Sequence, residues 1–382
     1  MSLLKPSVII LTAAVGVVGS NSLLLGPIAT AVAQSFVGAG ASDVLLASAA
    51  YGLATAFSAL TLAPQVDRIG AGRVAVLALM VLAAALVASA MATSVPLLIA
   101  AQLVAGLACG AALPSIYSLS TEVADPGREA ETLGVVLSGW TIALVAGASL
   151  AGPVAEYLHW RAAFAGLGVF ALIAATVLHI RLRGRGAPVD GKTTSPLVAL
   201  QTPGIVPALI GVAAFMIAFY GIYTYLGWHV QGVLGQSTAR TGFLTLSYGI
   251  GFGLAVPLDR VIDRLGAVRM APVLLFTLAG VYVALALVMH SFAMLVALCF
   301  VWGLVNHMAM TLIVSQLSAL APSRRGAILG LYSATTYLCV AGGVAVFRPI
   351  VEHFGLSMAA FVSALCILPA AVQSLQRRRV SA

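Results

Sequence analysis

Pro64-Gln65-Val66-Asp67-Arg68-Ile69-Gly70-Ala71-Gly72-Arg73 sets an acid and two arginines among turn-forming residues, with long apolar runs on both sides. Only 8% of the 382 residues are charged, so such a cluster needs a reason. It also recurs. Asp263-Arg264-Leu265-Gly266-Ala267-Val268-Arg269 repeats Asp67, Arg68, Gly70 and Arg73 at an offset of 196. The same offset relates Pro126 to Pro322, Arg128 to Arg324, Gly134 to Gly330, Gly147 to Gly343, Pro153 to Pro349 and Glu156 to Glu352. Ten identities in one register, at residues that punctuate or carry charge, mark the two halves of the chain as parallel repeats.

The runs between these landmarks decide the solvent. The chain is 61% hydrophobic, with a mean hydropathy of +1.09. A soluble domain carries about 25% charged residues, so this surface could not be covered in water. Apolar stretches of about 20 residues recur, each long enough to cross a hydrocarbon core of about 30 Å. Lipid satisfies no backbone hydrogen bonds, so these stretches must be helices; the short alternating strands of a membrane barrel are absent from the pattern. The first apolar run, Val8 to Val32, outlasts the core of a cleaved signal and reads as the first span. Twelve spans are expected, near 7–33, 43–63, 74–94, 97–121, 132–155 and 162–181, then 204–229, 240–258, 270–290, 292–320, 326–347 and 357–375. The polar stretch from Arg181 to Thr202 separates them. The expected division is 1–183 and 204–382 as two six-helix halves, joined by a cytoplasmic linker, 184–203.

A net charge of +8 raises nucleic acid as a partner, but the distribution of the charge argues against one. With both termini on one side, 16 of the 19 Lys and Arg residues fall in loops on that side; only Arg161, Arg240 and Arg348 fall opposite. Cytoplasmic loops hold such an excess, so both termini are expected in the cytosol of a bacterial inner-membrane protein. Cys109, Cys299, Cys339 and Cys366 lie in apolar runs and read as small core residues, neither disulfides nor metal ligands. No nucleotide loop and no nucleophile-base pair on a soluble element is present, which argues against an enzyme.

Twelve spans in two six-helix sets, with D-R-x-G-x-x-R between the second and third spans, resemble the major facilitator superfamily along the whole chain. Within it, the pattern is most similar to the twelve-span, proton-coupled drug and metabolite efflux branch (arabinose-efflux-permease-like). The resemblance implies a monomeric secondary transporter that works by alternating access, without a cofactor. It makes Asp67, Arg68, Gly70 and Arg73, with Asp263, Arg264, Gly266 and Arg269, a cytoplasmic gate. A carboxylate at Asp67 would meet the positive N-terminus of the eleventh span, near Arg325-Gly326; the plainer alternative is that the arginines set topology alone. Ala63 stands where the family motif opens with Gly. Gly139, Gly152 and Pro153 match part of the glycine-proline antiporter motif of efflux members, while Ala148 and Glu156-Tyr157 depart from it. These residues favour antiport or serve only to pack helices closely.

All eleven acids map to loops or helix ends, so no carboxylate is expected at mid-depth, where a proton carrier would sit. Gln102 stands where efflux members often carry an Arg, and Ser20-Asn21-Ser22 where they often carry an acid. The mid-depth polar and aromatic residues are the candidate substrate contacts: Asn21, Tyr51, Gln102 and Trp140 in the first half. In the second half they are Phe219, Tyr220, Tyr223, Tyr248, Trp302, Asn306, His307, Thr336 and Tyr337. His307 is the one mid-depth group whose ordinary pKa lies near neutrality, so it is the candidate proton carrier, the alternative being a neutral His held by a hydrogen bond. Trp160, Trp228 and Tyr157 are expected in the interfacial aromatic belt and His229 at an interface. Two functions remain open: proton-coupled efflux of an amphipathic or aromatic compound, and uniport or exchange of a neutral metabolite such as a sugar or nucleoside. A receptor built on a transporter frame is a third.

Overall fold

The computed structural model describes residues 5–62, 66–182, 195–321 and 325–381, which hold helices and no strand. Ten helical segments are long and apolar enough to cross a bilayer. Two of them are double length and break in the middle. One breaks at His159, where the backbone is extended, and the other at Gly355 (φ 78°, ψ 172°), a conformation that disfavours a side chain. These breaks leave room for the twelve expected crossings. They are α1 (Pro6–Ala33), α2 (Ala41–Thr61), α3 (Ala71–Met91), α4 (Val95–Glu122), α5 (129–159) and α6 (Trp160–Arg181) in the first half. The second half has α7 (Ile205–Gly232), α8 (Thr238–Leu254), α9 (Ala267–Val288), α10 (Phe292–Ala319), α11 (325–354) and α12 (356–381).

Local chemistry starts these helices where the sequence allows. Ser94 and Ser237 turn their hydroxyls onto the free N–H groups of Leu97 and Arg240 at the heads of α4 and α8. Prolines occupy the first turns of α1 and α4, where no N–H is needed. The helix of α11 continues past the expected end at 347, because Arg348 pairs with Glu352 one turn on, at 3.0 Å.

The repeat is visible in the backbone. Gly70 (φ 98°, ψ 125°) and Gly266 (φ 83°, ψ 139°) share one left-handed turn at the heads of α3 and α9. Each follows a short helix, Val66–Ile69 and Asp259–Leu265. The crossings between the halves repeat as well. Gly52 of α2 sits on Val340 and Ala341 of α11, and Gly249 of α8 sits on Leu144 and Val145 of α5. Those two partner pairs stand at the same 196-residue offset. Cβ atoms added at Gly52 and Gly249 would lie 2.8 Å and 3.1 Å from the Cβ atoms of Val340 and Leu144. Without a hydrophobic drive between helices in lipid, such close backbone approach is what holds them together.

α5 departs from a plain α-helix. Residues Ala143–Ala148 and Ala155–His159 form π turns around the α-helical stretch Ser149–Val154. Pro153 offers no N–H to the preceding turn, and the Ser149 hydroxyl donates to the Leu144 carbonyl oxygen at 2.7 Å. Gly139 packs on Thr12 and Val15 of α1, while Gly152 and Pro153 pack on Thr238 and Gly242 of α8. The glycine-proline elements thus sit at helix crossings.

Trp160 and His229 lie near helix ends and are buried there. Trp160 is 2% exposed; its indole donates to Ser35 at 2.8 Å and its ring lies edge-on to Phe36 and Phe164. His229 is buried too, with Nε2 2.8 Å from the Met289 carbonyl oxygen. Both gain a hydrogen bond to the connections at that end of the bundle.

Candidate functional site

The sequence candidates separate into three groups in space. The largest is aromatic. Along α7, the spacing of Phe219 and Tyr223 stacks their rings at 5.2 Å, with Tyr220 beside Phe219 at 4.9 Å. Tyr248 of α8 and Trp302 of α10 close on Phe219 at 5.6 Å and 5.5 Å and on each other at 4.9 Å. Asn306, one turn beyond Trp302, donates from Nδ2 to the Tyr248 hydroxyl at 2.8 Å. Its Oδ1 is buried without a partner, as is the Tyr223 hydroxyl. A small cavity opens on this cluster, lined by Tyr223, Tyr248, Trp302, Thr241 and Thr245 and, from the first half, by Pro27 of α1. None of its lining residues carries a charge. The arrangement presents ring faces and unpaired hydrogen-bonding atoms, which suits an aromatic or amphipathic ligand without a fixed charge.

The second group lies in the first half. Asn21 and Gln102 are 4% and 1% exposed and meet face to face, Nδ2 to Oε1 at 3.1 Å, with Gln102 Nε2 donating to Ser89 at 3.0 Å. Their amides are thus taken up by each other and by α3. Gln102→Leu would strand the Asn21 amide in the bundle interior and is expected to cost about 1–3 kcal/mol, whereas the double change to Leu at both positions costs less. Thermal unfolding of the two variants in detergent measures it; equal losses for single and double variants would contradict the pairing. Trp140 is half-buried beside Tyr117, Nε1 to OH 3.4 Å. Tyr51 meets Tyr337 edge-on at 6.1 Å where α2 crosses α11, and Thr336 lies half-buried next to it.

The third group is His307. Its Nε2 lies 3.1 Å from Oδ2 of Asp259, at the start of the short helix after α8, and the Phe252 ring stands edge-on to the imidazole at 4.7 Å. Asp259 was not among the sequence candidates, because it maps to a helix end. The available signal was its place in the repeat: it is the counterpart of Ala63, four residues before Asp263.

Of the expected gate, the side chains of Asp67, Arg68, Asp263, Arg325 and Gly326 lie outside the described residues. Arg73, Arg264 and Arg269 are exposed. At this arginine-rich end, Lys5 Nζ pairs with Asp125 at 2.6 Å, inside the first half, and holds that carboxyl below the usual carboxylate range. The hydrogen bonds that join the halves cluster at the opposite end. Gln231 and Thr241 donate to the Pro27 carbonyl oxygen, both at 3.1 Å. Glu156 of α5 accepts from the Ala239 N–H at the head of α8 at 2.6 Å, and Arg348 of α11 reaches Asp43 at the head of α2 at 2.8 Å. Among the described residues, no such bond joins the halves at the arginine-rich end.

The chain matches the Major Facilitator Superfamily over residues 10–346. A curated relative from Bacillus subtilis (strain 168), the uncharacterized MFS-type transporter YwfA, is 26% identical over 364 residues, 93% of this chain and 87% of that one. Among solved structures, the peptide transporter POT in complex with alafosfalin superposes with a TM-score of 0.75 at 14% identity, covering 97% of this chain and 95% of that one. The human organic anion transporter MFSD10 (TETRAN) does so with a TM-score of 0.73 at 16% identity, covering 97% of this chain and 100% of the other.

Proposed function

Because the chain belongs to the Major Facilitator Superfamily, it is a membrane-embedded secondary transporter of small molecules and not an enzyme, and we propose that it exports aromatic or amphipathic compounds in exchange for protons. The observation that carries this reading is the uncharged aromatic cluster with a partnerless Tyr223 hydroxyl, in a cavity that both halves line. The absence of Lys and Arg from that lining weighs against an organic anion of the kind MFSD10 is named for.

In this proposal, 1–183 and 204–382 rock about the cavity as a monomer, with both termini and the arginine-rich end in the cytosol. The bonds at the other end then seal the external face. Asp67 and Asp263 with their arginines form the cytoplasmic latch that closes in the other state. A strain overproducing the protein is expected to tolerate and expel members of a panel of aromatic compounds; unchanged tolerance and unchanged retention across the panel would remove efflux.

A second reading, facilitated equilibration of a neutral metabolite, is favoured by the Asn21–Gln102 pair, which puts a satisfied amide pair in place of buried charge. Reconstituted protein separates the two: solute equilibration that a proton gradient does not drive supports the metabolite carrier.

A further inference from the structure

We propose that the transported proton is carried on His307 and that Asp259 is the positioning residue that makes it a proton site. This rests on the proton-coupled reading above and names the residues that do the coupling. A carboxylate only accepts hydrogen bonds, so the 3.1 Å contact to Asp259 Oδ2 requires the proton of the neutral imidazole to sit on Nε2. That leaves the lone pair on Nδ1, which is buried without any partner. The ring therefore keeps a vacant base on the side away from the carboxylate. Oδ1 of Asp259 is likewise buried and unpartnered, so the carboxylate has no competing hydrogen bond to spend.

The surroundings contain no rival charge among the described residues. Thr311 Oγ1 lies 3.4 Å from Nε2 and the Phe252 edge covers one face of the ring. Arg260, Arg264 and Arg269 at the same rim are exposed, and none pairs with Asp259; the Asp263 side chain, one turn away, lies outside the described residues. The Asp259 side chain is 29% exposed and that of His307 10%, so solvent reaches the pair from the arginine-rich end. The step is a single transfer at Nδ1, which is closed to solvent in this conformation: when movement of the halves opens that nitrogen to the cytosol, the Nδ1–H of the imidazolium passes its proton to a water, giving hydronium and a neutral imidazole. A second proton then enters the outward-facing state at the same nitrogen.

The pair is also wired to the substrate cavity. Asn306, the residue before His307, holds the Tyr248 hydroxyl, and Tyr248 and Phe252 lie tilted against each other at 6.1 Å between the cavity and the imidazole. A charge gained at His307 therefore bears on the α8–α10 contact that shapes the aromatic site.

The test needs no known substrate. In the full-length chain with Cys109, Cys299, Cys339 and Cys366 replaced, spin labels at Thr121 and Leu320, on the exposed ends of α4 and α10, report the cytoplasmic separation of the halves. The otherwise unaltered chain is expected to change its distance distribution between about pH 5.5 and about pH 8.5, the range in which an imidazole changes charge. His307→Gln abolishes the response, Asp259→Asn abolishes or strongly reduces it, and Asp259→Glu restores most of it. A full response in both His307→Gln and Asp259→Asn overturns the pair while leaving proton coupling intact. No response in the unsubstituted chain overturns proton coupling and the pair together. If Asp259→Asn fails to fold, His307→Gln decides alone.

Discussion

Gly52→Val is expected to reduce transport about fivefold or more while both halves stay folded. The substituent meets the Tyr337 carbonyl oxygen at 2.6 Å and the Val340 side chain at 2.8 Å. Both belong to the other half, so the clash arises only when α2 closes on α11. An overpacked helix contact costs about 1–3 kcal/mol, and each 1.4 kcal/mol shifts a two-state population about tenfold. The variant therefore favours the state in which the outer face is apart. Gly280, with nothing within 4 Å of its added Cβ, supplies the control: Gly280→Val leaves transport unchanged. Accumulation of a compound identified in the panel, measured with both variants at matched protein level, settles the point. Equal activity would show that the α2–α11 crossing does not have to close.

The second large effect concerns the clasps at the end opposite the arginines, the external seal of the proposed function. Glu156→Gln with Arg348→Gln removes charge from both polar clasps, one at each repeat-related crossing. The 2.6 Å contact from Ala239 N–H to the Glu156 carboxylate is a charge-assisted bond of about 1.5–3 kcal/mol. The Arg348–Asp43 pair, more open to solvent, adds less than about 1 kcal/mol. A cysteine at Thr245, buried in the cavity, is expected to react with a membrane-impermeant thiol reagent from outside at least about tenfold faster in the double variant, the ratio set by those energies. Unchanged labelling would mean that packing alone seals the outer face.

The sequence made the architecture legible because two independent signals agreed. Hydropathy located the spans, and the 196-residue register located their pairing, down to Gly70 and Gly266 in the same left-handed turn. The aromatic cluster was legible for a similar reason: Phe219 and Tyr223 fall one helical turn apart, and Trp302 and Asn306 do so on α10. What sequence could not supply was partnership between distant residues. Asn21 and Gln102, 81 positions apart, could equally have faced a cavity or each other. Asp259 was set aside because depth was inferred from hydropathy alone. A hydropathy profile locates an acid at a helix end; it does not reveal that the helix end folds back onto His307. The π turns of α5 were invisible as well, since they add no residue to the register that Gly134, Gly147, Pro153 and Glu156 share with the second half.

Those π turns make the two halves unequal in compliance. α11, the repeat partner of α5, stays α-helical to Gly355 and contains no π turn, although it carries Pro349 at the position of Pro153. α5 carries two loosened turns, one packed on Gly249 of α8 and one that contains Glu156, the clasp onto α8. A load applied between the halves is therefore absorbed first in α5. Two copies that share one register divide the mechanical work: the second half serves as the lever, and α5 of the first half as its joint.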